Sequence, residues 1–319
     1  MTEKEMQIKV GVSACLLGQK VRYDGGHKRD RYVTDVLSDY FKFVAVCPEV
    51  ELGMGAPREA VRLEGEVDKP RMVGTKTGAD WTGRMNAFVR KRLEELAPVN
   101  LSGYILKKGS PSCGMERVKV YGSKGVPART GRGLFGGALV KRFPLLPVEE
   151  EGRLNDPRLR ENFIARVFAF HRLQGLFAAE FSRVAAVDFH RVHKYLLLSH
   201  NPEKYKEMGR LVAGIKKFTP SKFKEKYGEL FMSAMSYRTT TSKNVNVLHH
   251  MLGFLKKDLV PGDKLYILDQ IEDYRQGLVP LVVPLTLLKH YVEKFNIEYI
   301  ADQVYLNPHP KELMLRNHI

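Results

Sequence analysis

The chain has 319 residues, of which 44% are hydrophobic and three are cysteines, so it should bury a sizeable core in two folded units rather than remain disordered. Three cysteines exclude a disulfide framework, and the lack of an apolar leader or a long apolar run excludes a secretory signal and a membrane span, so we expect a cytoplasmic protein. Lysine and arginine exceed aspartate and glutamate by 16, which favours a polyanionic partner over a small neutral metabolite.

The first half of the chain alternates short β-branched runs with amphipathic segments, which is the pattern of an α/β domain. We expect a largely parallel sheet flanked by helices. The predicted strands are 8–13, 41–46 and 103–106, and the predicted helices are 33–40, 80–96 and 133–141. Pro144, Pro147 and the acidic stretch 149–152 then predict a linker, so the first domain should cover residues 1–147.

Residues 148–319 predict an all-α domain. Apolar residues recur at spacings of three and four from 163 to 181 and from 245 to 259, which is the spacing of buried helix faces. Asn201-Pro202 predicts a helix with Asn201 as its cap and proline at its first position. Thr219-Pro220 and Val260-Pro261 predict two further helix junctions.

Each of the three cysteines follows one of the predicted strands. Cys15 follows the first, Cys47 follows the second, and Cys113 lies a few residues beyond the third. Because the carboxyl ends of parallel strands meet at one edge of a sheet, the three thiols should converge there. Three thiolates without a Cys-x-x-Cys pair argue against structural zinc and suit a 4Fe–4S cluster with one open iron, which can act on a substrate as a Lewis acid.

Polar residues beside these cysteines could assist chemistry. Glu49 follows Cys47 on a proline-fixed turn and is a candidate general acid or base, with Glu51 as its competitor. Ser110 and Ser112 lie in a rigid loop before the third cysteine, where their hydroxyls could bind a ring edge or a sulfide. Either serine could instead only complete a turn.

The segment from Lys107 to Arg142 is strongly basic, with nine lysines and arginines against the single Glu116. We predict that it contacts nucleic-acid phosphate, in preference to being a solvated basic face. Arg22 and Tyr23 stand in a glycine-rich loop close to the first cysteine. They could contact a base or a phosphate, or form only a turn.

The cysteine segments together resemble the 2-thiouracil desulfurase family, whose members are also called TudS-like. The matching segments are 13–18 with 22–25, 47–55 and 109–114. The second half, with Ser199-His200-Asn201-Pro202-Glu203-Lys204-Tyr205 and residues 291–295, is similar to the YbgA-like helical domain. The fusion of the two resembles RudS-type tRNA 4-thiouridine desulfidases.

The resemblance implies that Cys15, Cys47 and Cys113 bind a 4Fe–4S cluster and that Glu49 and Ser110 assist catalysis. It also implies a non-redox removal of sulfur from 4-thiouridine in tRNA, which leaves uridine and hydrogen sulfide. The positive charge favours tRNA over a free base, since tRNA gains from each phosphate neutralised. Three alternatives stay open: a desulfurase of free thiouracil or other thiopyrimidines, a non-catalytic iron–sulfur RNA-binding protein, and a zinc hydrolase.

Overall fold

A computed structural model of the protein describes residues 8–122 and 126–318. The chain divides into two compact units, Met1–Asn155 and Asp156–Ile319. This division lies eight residues after the predicted boundary between 147 and 148. Lys124 of the basic segment lies outside the described residues.

A four-stranded, all-parallel sheet forms the centre of the first unit. Its strand order is β2 (Phe41–Val46), β1 (Ile8–Ser13), β5 (Gly103–Leu106) and β8 (Val148–Glu150). Strands β1 and β5 are almost wholly buried, which explains their continuous apolar sequence, since central parallel strands are covered on both faces. The predicted α/β class and the three predicted strands are confirmed.

The linker predicted around residues 144–152 is wrong, because part of it forms strand β8 beside β5. Because β8 consists largely of acidic residues, its sequence shows no apolar pattern that would predict a strand. Glu149 and Glu150 are both buried, and each has a partner: Glu149 pairs with Arg153 at 2.7 Å, and Glu150 accepts the backbone N–H of Met115 at 2.9 Å. Buried carboxylates are tolerated only when they are paired in this way.

A second, mixed sheet of four strands was not predicted. Its strand order is β4 (Lys69–Gly74), β3 (Val61–Glu66), β6 (Val118–Tyr121) and β7 (Pro127–Gly131). The β3–β4 and β6–β7 pairs are antiparallel, whereas β3 and β6 are parallel. Its strands are short and carry many exposed polar residues, so local apolar periodicity gives little sign of them.

Three α-helices accompany these sheets in the described part of the first unit: α1 (Pro48–Glu51), α2 (Thr82–Leu96) and α3 (Leu134–Arg142). The last two confirm predicted helices, and α2 buries residues at three- and four-residue spacing. The helix predicted at 33–40 is wrong as a regular α-helix, because a π turn (Tyr32–Val36) and a 3₁₀ turn (Leu37–Asp39) replace it. There Asp30 accepts the N–H of Val33, and Ser38 donates to the Thr34 carbonyl, as short polar side chains do when they compete with helical bonds.

The described part of the second unit is all-α, as predicted, and it contains the following helices: α4 (Pro157–Ala178), α5 (Arg183–Val192), α6 (Lys194–His200), α7 (Pro202–Ala213), α8 (Pro220–Ser236), α9 (Thr241–Leu255), α10 (Pro261–Gln276), α11 (Val282–Lys294) and α12 (Glu298–Ala301). Asn201 caps α7 by accepting the N–H of Lys204 at 3.0 Å, and Thr219 caps α8 in the same manner. Proline is the first residue of both, where its missing N–H costs no hydrogen bond. None of the described helices is long and apolar enough to cross a membrane.

Candidate active site at the carboxyl edge of the parallel sheet

The three cysteines line one pocket of about 270 Å³ at the carboxyl edge of the parallel sheet. Cys15 lies in a 3₁₀ turn directly after β1, and Cys47 is the residue between β2 and α1. Ser13 and Val46 are paired in the parallel register, so these two strands end level with each other. Cys113 reaches the same pocket from the loop after β5.

The three thiols are free and largely buried. Burial, with a smaller contribution from the neighbouring Cys47, raises the pKa of Cys15 to about 11, although the charges of Lys107 and Arg22 oppose the rise. Burial also raises the pKa of Cys47, and it raises that of Cys113 to about 12. All three thiols therefore hold their protons at neutral pH in the metal-free protein and must release them when they bind a metal.

The donor set fits an iron–sulfur cluster better than a single metal ion. Charge on Cys15 and on Cys47 raises the pKa of Cys113, so the three thiols lie within electrostatic range of one another. In the parts of the chain that the structure describes, however, no group of three or more His, Cys, Asp or Glu is arranged to hold one metal ion. A cluster spreads its ligands over separate irons and takes thiolates, so it does not require the sulfur atoms to meet at one point.

Glu49 projects into this pocket from the first turn of α1. Its Oε1 accepts a hydrogen bond from the Ser112 hydroxyl at 2.5 Å, and its Oε2 pairs with the guanidinium of Arg58. The side chain of Glu49 is only 12% exposed. Because both oxygens are held from the two sides, the carboxylate has one fixed orientation beside the cysteines.

Ser110 lines the pocket, and its hydroxyl organises the loop that carries Cys113. Its Oγ accepts the backbone N–H of Cys113 at 3.1 Å and lies 3.0 Å from the Oγ of Ser112. It is Ser112, the second serine of the loop, that donates to Glu49 and contacts the sulfur of Cys113 at 3.8 Å. The two serines thus link the loop to the carboxylate.

Arg58 is a part of this site that the sequence did not reveal. Its side chain is 6% exposed and, besides pairing with Glu49, donates from Nη1 to the carbonyls of Val21 at 3.0 Å and Gly55 at 2.7 Å. The sulfur of Cys47 contacts the same Val21 carbonyl at 3.8 Å. Arg58 stands outside the cysteine segments, in a loop without periodic pattern, so no local signal marks it.

Glu51, the competing carboxylate, does not line the pocket. Its Oε1 accepts the backbone N–H of Cys47 at 2.9 Å, and its Oε2 pairs with Arg92 at 2.9 Å. Glu51 therefore stabilises the turn that presents Cys47, and Glu49 is the carboxylate that faces the site.

Arg22 and Tyr23 do line the pocket. The guanidinium carbon of Arg22 lies 5.2 Å from the centroid of the Tyr23 ring, and Tyr23 is 43% exposed. An exposed aromatic ring at the rim of a pocket can stack on a planar base.

The loop of Cys113 is held against the start of helix α3. The N–H groups of Leu134 and Phe135 donate to the carbonyls of Pro111 and Ser112, at 3.1 and 2.9 Å. This approach is possible because Gly136 has no side chain: a Cβ there would lie 2.3 Å from the carbonyl oxygen of Cys113.

Substituting Gly136 with alanine should lower the free energy of unfolding and shift the cysteine loop. We expect a loss of about 1–3 kcal/mol, as for other overpacked sites, together with less iron retained after reconstitution. Gly83 in α2 is the matched control, because a Cβ there meets nothing within 4 Å, so Gly83→Ala should be neutral or stabilising. Denaturant unfolding and iron analysis of both variants test this; equal stability of the two would refute the close contact.

The basic segment 107–142 presents many unpaired charges. Its exposed basic side chains in the described residues are Lys108, Arg117, Lys119, Arg129, Arg132, Lys141 and Arg142. In the parts of the chain that the structure describes, none of these seven takes part in an ion pair. Lys107, which pairs with Glu151, and Lys108 also line the cysteine pocket.

Comparison with known proteins relates each half of the chain to a different family. The family model for 2-thiouracil desulfurase matches residues 10–151, and a model described as a protein of unknown function (DUF1722) matches residues 194–310. The uncharacterized protein YbbK of Bacillus subtilis (strain 168) is 34% identical over 108 residues, 32% of this chain and 71% of that protein. The uncharacterized protein YbgA of Escherichia coli (strain K12) is 26% identical over 165 residues, 51% of this chain and 98% of that protein.

The chain is also similar to a solved structure, that of the 4Fe-4S-dependent thiouracil desulfidase TudS. The two are 34% identical, and the match covers 47% of this chain and 95% of that one, with a TM-score of 0.39.

Proposed function

Because the chain belongs to the 2-thiouracil desulfurase family in its first half and carries a YbgA-like helical domain in its second, we propose that it removes sulfur from 4-thiouridine in tRNA. The products are uridine and hydrogen sulfide. One observation carries the proposal: three thiols and a fixed carboxylate, brought from three strand ends, line a single pocket.

Cys15, Cys47 and Cys113 would hold a 4Fe–4S cluster in this pocket. When bound by only three thiolates, such a cluster supplies an open, Lewis-acidic iron for the sulfur of the substrate. Lys107 and Arg22, whose charges act on Cys15, would offset the negative charge of the ligands. The protein's own contribution is to orient the base, to exclude bulk water and to move protons.

Glu49 is placed to move those protons. Held by Ser112 and Arg58, its carboxylate would accept a proton from a water molecule as the water oxygen adds to the ring carbon. It would return the proton as sulfur leaves that carbon. The overall change is thiocarbonyl plus water to carbonyl plus hydrogen sulfide, so no oxidant or reductant is consumed.

Ser110 and Tyr23 would position the base. The Ser110 hydroxyl lines the pocket beside Cys113, where it can bind a polar ring edge, and the exposed ring of Tyr23 offers a stacking surface. A base must leave its stacked position in tRNA to reach such a pocket, at a cost of about a few kcal/mol.

Phosphate contacts would recover that cost, and the exposed, unpaired cations of segment 107–142 support this part of the proposal. Lys107 and Lys108 line the pocket itself, so the basic segment begins where the target base would enter. We propose that the helical domain contributes further tRNA contacts. A free thiopyrimidine would gain little from these charges, since it carries no phosphate.

Reversing three of these charges should separate the two substrate classes. We expect the triple variant Lys119→Glu, Arg129→Glu, Lys141→Glu to bind tRNA about tenfold or more weakly, with a shallower dependence of log K on log salt concentration. Sulfide release from free 4-thiouracil should stay unchanged. Binding titrations at several salt concentrations and sulfide assays on both substrates measure this.

The matched control reverses three exposed basic residues of the same domain outside the segment, Lys42, Lys69 and Arg90. Both triple variants lower the net charge by the same amount, so only a specific contact makes them differ. Equal loss of tRNA binding in the two variants, or equal loss of activity on tRNA and free 4-thiouracil, would contradict the proposed division.

A further inference from the structure

The helical domain contains a pocket of its own, of about 500 Å³, that plays no part in the proposed desulfidation. Its residues come from α4, α6, α9 and α10, the loop before α9, the residue before α11 and the end of the described chain. This volume lies in the range of sites for small ligands. The pocket includes His200, from the Ser199–Tyr205 segment noted in the sequence, for which the desulfidase mechanism gives no role.

The mouth of the pocket is suited to an anion. Arg158 and Arg238 line it, both are exposed, and neither forms an ion pair with any residue that the structure describes. Thr240 also lines it and caps α9, whose first turn contains no acidic residue. Helix α9 has 15 residues, so its unpaired N–H groups and dipole add to the positive potential there.

The nearest carboxylates do not cancel these arginines. Asp156 lies within electrostatic range of both, but it caps α4 by accepting the N–H groups of Arg158 and Leu159, at 2.9 and 3.0 Å. Glu161, which lines the pocket, is already paired with Arg316 at 3.4 Å. Two guanidinium charges are thus left for a ligand.

The inner wall differs from the mouth, because its His200 presents a neutral hydrogen-bond acceptor instead of a cationic donor. This side chain is 2% exposed, and its Nδ1 lies 2.6 Å from the carbonyl oxygen of Tyr237. A carbonyl can only accept, so Nδ1 carries the proton and Nε2 is an acceptor. Burial lowers the pKa of His200 to about 4, which keeps the ring neutral. Nε2 has no hydrogen-bond partner among the described residues.

We propose that this pocket binds a nucleoside monophosphate group, with its phosphate at Arg158, Arg238 and the start of α9. A hydroxyl or N–H of the nucleoside then donates to Nε2 of His200 at the inner wall. A phosphate alone fills only the mouth, whereas a nucleoside alone lacks the charge that the two arginines require. The group is either a free mononucleotide or the 5′-phosphorylated end of an RNA.

Calorimetric titration of the full chain with AMP, UMP, uridine and inorganic phosphate tests the pocket. We expect a mononucleotide to bind, and uridine and phosphate to bind at least about tenfold more weakly, since uridine lacks the charged hydrogen bonds to the arginines and phosphate lacks the hydrogen bond to His200. The double variant Arg158→Gln, Arg238→Gln should weaken mononucleotide binding by about tenfold or more. Both positions are exposed, so the variant should fold normally.

The pair Arg183→Gln, Lys217→Gln is the matched control, because it also removes two charges, and both residues are exposed and do not line the pocket. It should leave mononucleotide binding unchanged, which separates a built site from general attraction to a basic protein. The proposal is overturned if no mononucleotide binds the wild-type chain, or if the double variant binds as tightly as the control.

Two RNA oligonucleotides of one sequence, with a 5′-phosphate or a 5′-hydroxyl, distinguish the sources of the group. Competition with AMP by the 5′-phosphorylated RNA alone identifies an RNA end as the ligand, whereas no competition by either identifies a free nucleotide. Competition by both forms equally would contradict recognition of a terminal phosphate. Sulfide release from free 4-thiouracil by the double variant should equal that of the wild type, so failure here is distinct from failure of the desulfidase proposal.

Discussion

Replacing Glu49 with glutamine should lower the rate of sulfide release by at least about a hundredfold, the usual effect of losing a general acid–base group. Glutamine keeps the shape of the side chain and an oxygen for the Ser112 hydroxyl, but it cannot accept and return a proton. Iron content after reconstitution should stay at the wild-type level, because the three cysteines are untouched. Single-turnover sulfide assays together with iron analysis measure this.

Glu51→Gln is the matched control for this prediction. Glu51 lies two residues away, accepts the N–H of Cys47 and lies outside the pocket. Its glutamine retains an acceptor for that N–H, so we expect a rate within about threefold of the wild type, as for a loss of up to about 0.7 kcal/mol. If the two variants lost activity equally, or if Glu49→Gln turned over normally, the role assigned to Glu49 would be wrong.

Serine in place of any one of Cys15, Cys47 and Cys113 should abolish sulfide release and greatly reduce the iron bound per chain. A hydroxyl is a much poorer ligand for iron than a thiolate, and two thiolates leave the cluster without its third anchor. The fold should survive, since serine is nearly isosteric with cysteine and the metal-free thiols are protonated. Circular dichroism of the metal-free variants checks the fold, while iron and sulfide assays check the site.

A variant that retained both its iron and its turnover would remove that cysteine from the site. A variant that lost iron but still released sulfide would contradict cluster-dependent chemistry altogether. If iron were retained by the wild type without any sulfide release, the alternative of a non-catalytic iron–sulfur RNA-binding protein would be favoured instead.

The sequence predicts those elements whose cause is local. Strands β1, β2 and β5 are short, largely apolar runs, which is the pattern of strands in a parallel sheet. Cys15 and Cys47 follow the ends of β1 and β2 directly, and Cys113 follows β5 after a loop. Helix α7 begins where it does because Asn201 and Pro202 satisfy the start of a helix without further help. Such signals need no knowledge of the rest of the fold.

The sequence does not predict features that depend on contacts between distant segments, because no local pattern encodes such contacts. Strand β8 carries three glutamates in or beside it, and it is a strand only because β5 pairs with it. The mixed sheet pairs Leu63 with Val120, 57 residues further along the chain, and its exposed charges mask the two-residue period. The contact of Arg58 with Glu49 depends on how the loop after α1 folds back, which no spacing in the sequence encodes.

We propose that this chain hydrolyses the carbon–sulfur bond of a thiolated uracil at the three-cysteine pocket. The most direct test is to reconstitute the full chain anaerobically with iron and sulfide, remove the excess, and incubate it with 4-thiouridine-containing tRNA without any reductant. We predict repeated turnovers that yield one hydrogen sulfide for each uridine formed. No sulfide from tRNA or from a free thiopyrimidine, with the cluster intact, would contradict the account.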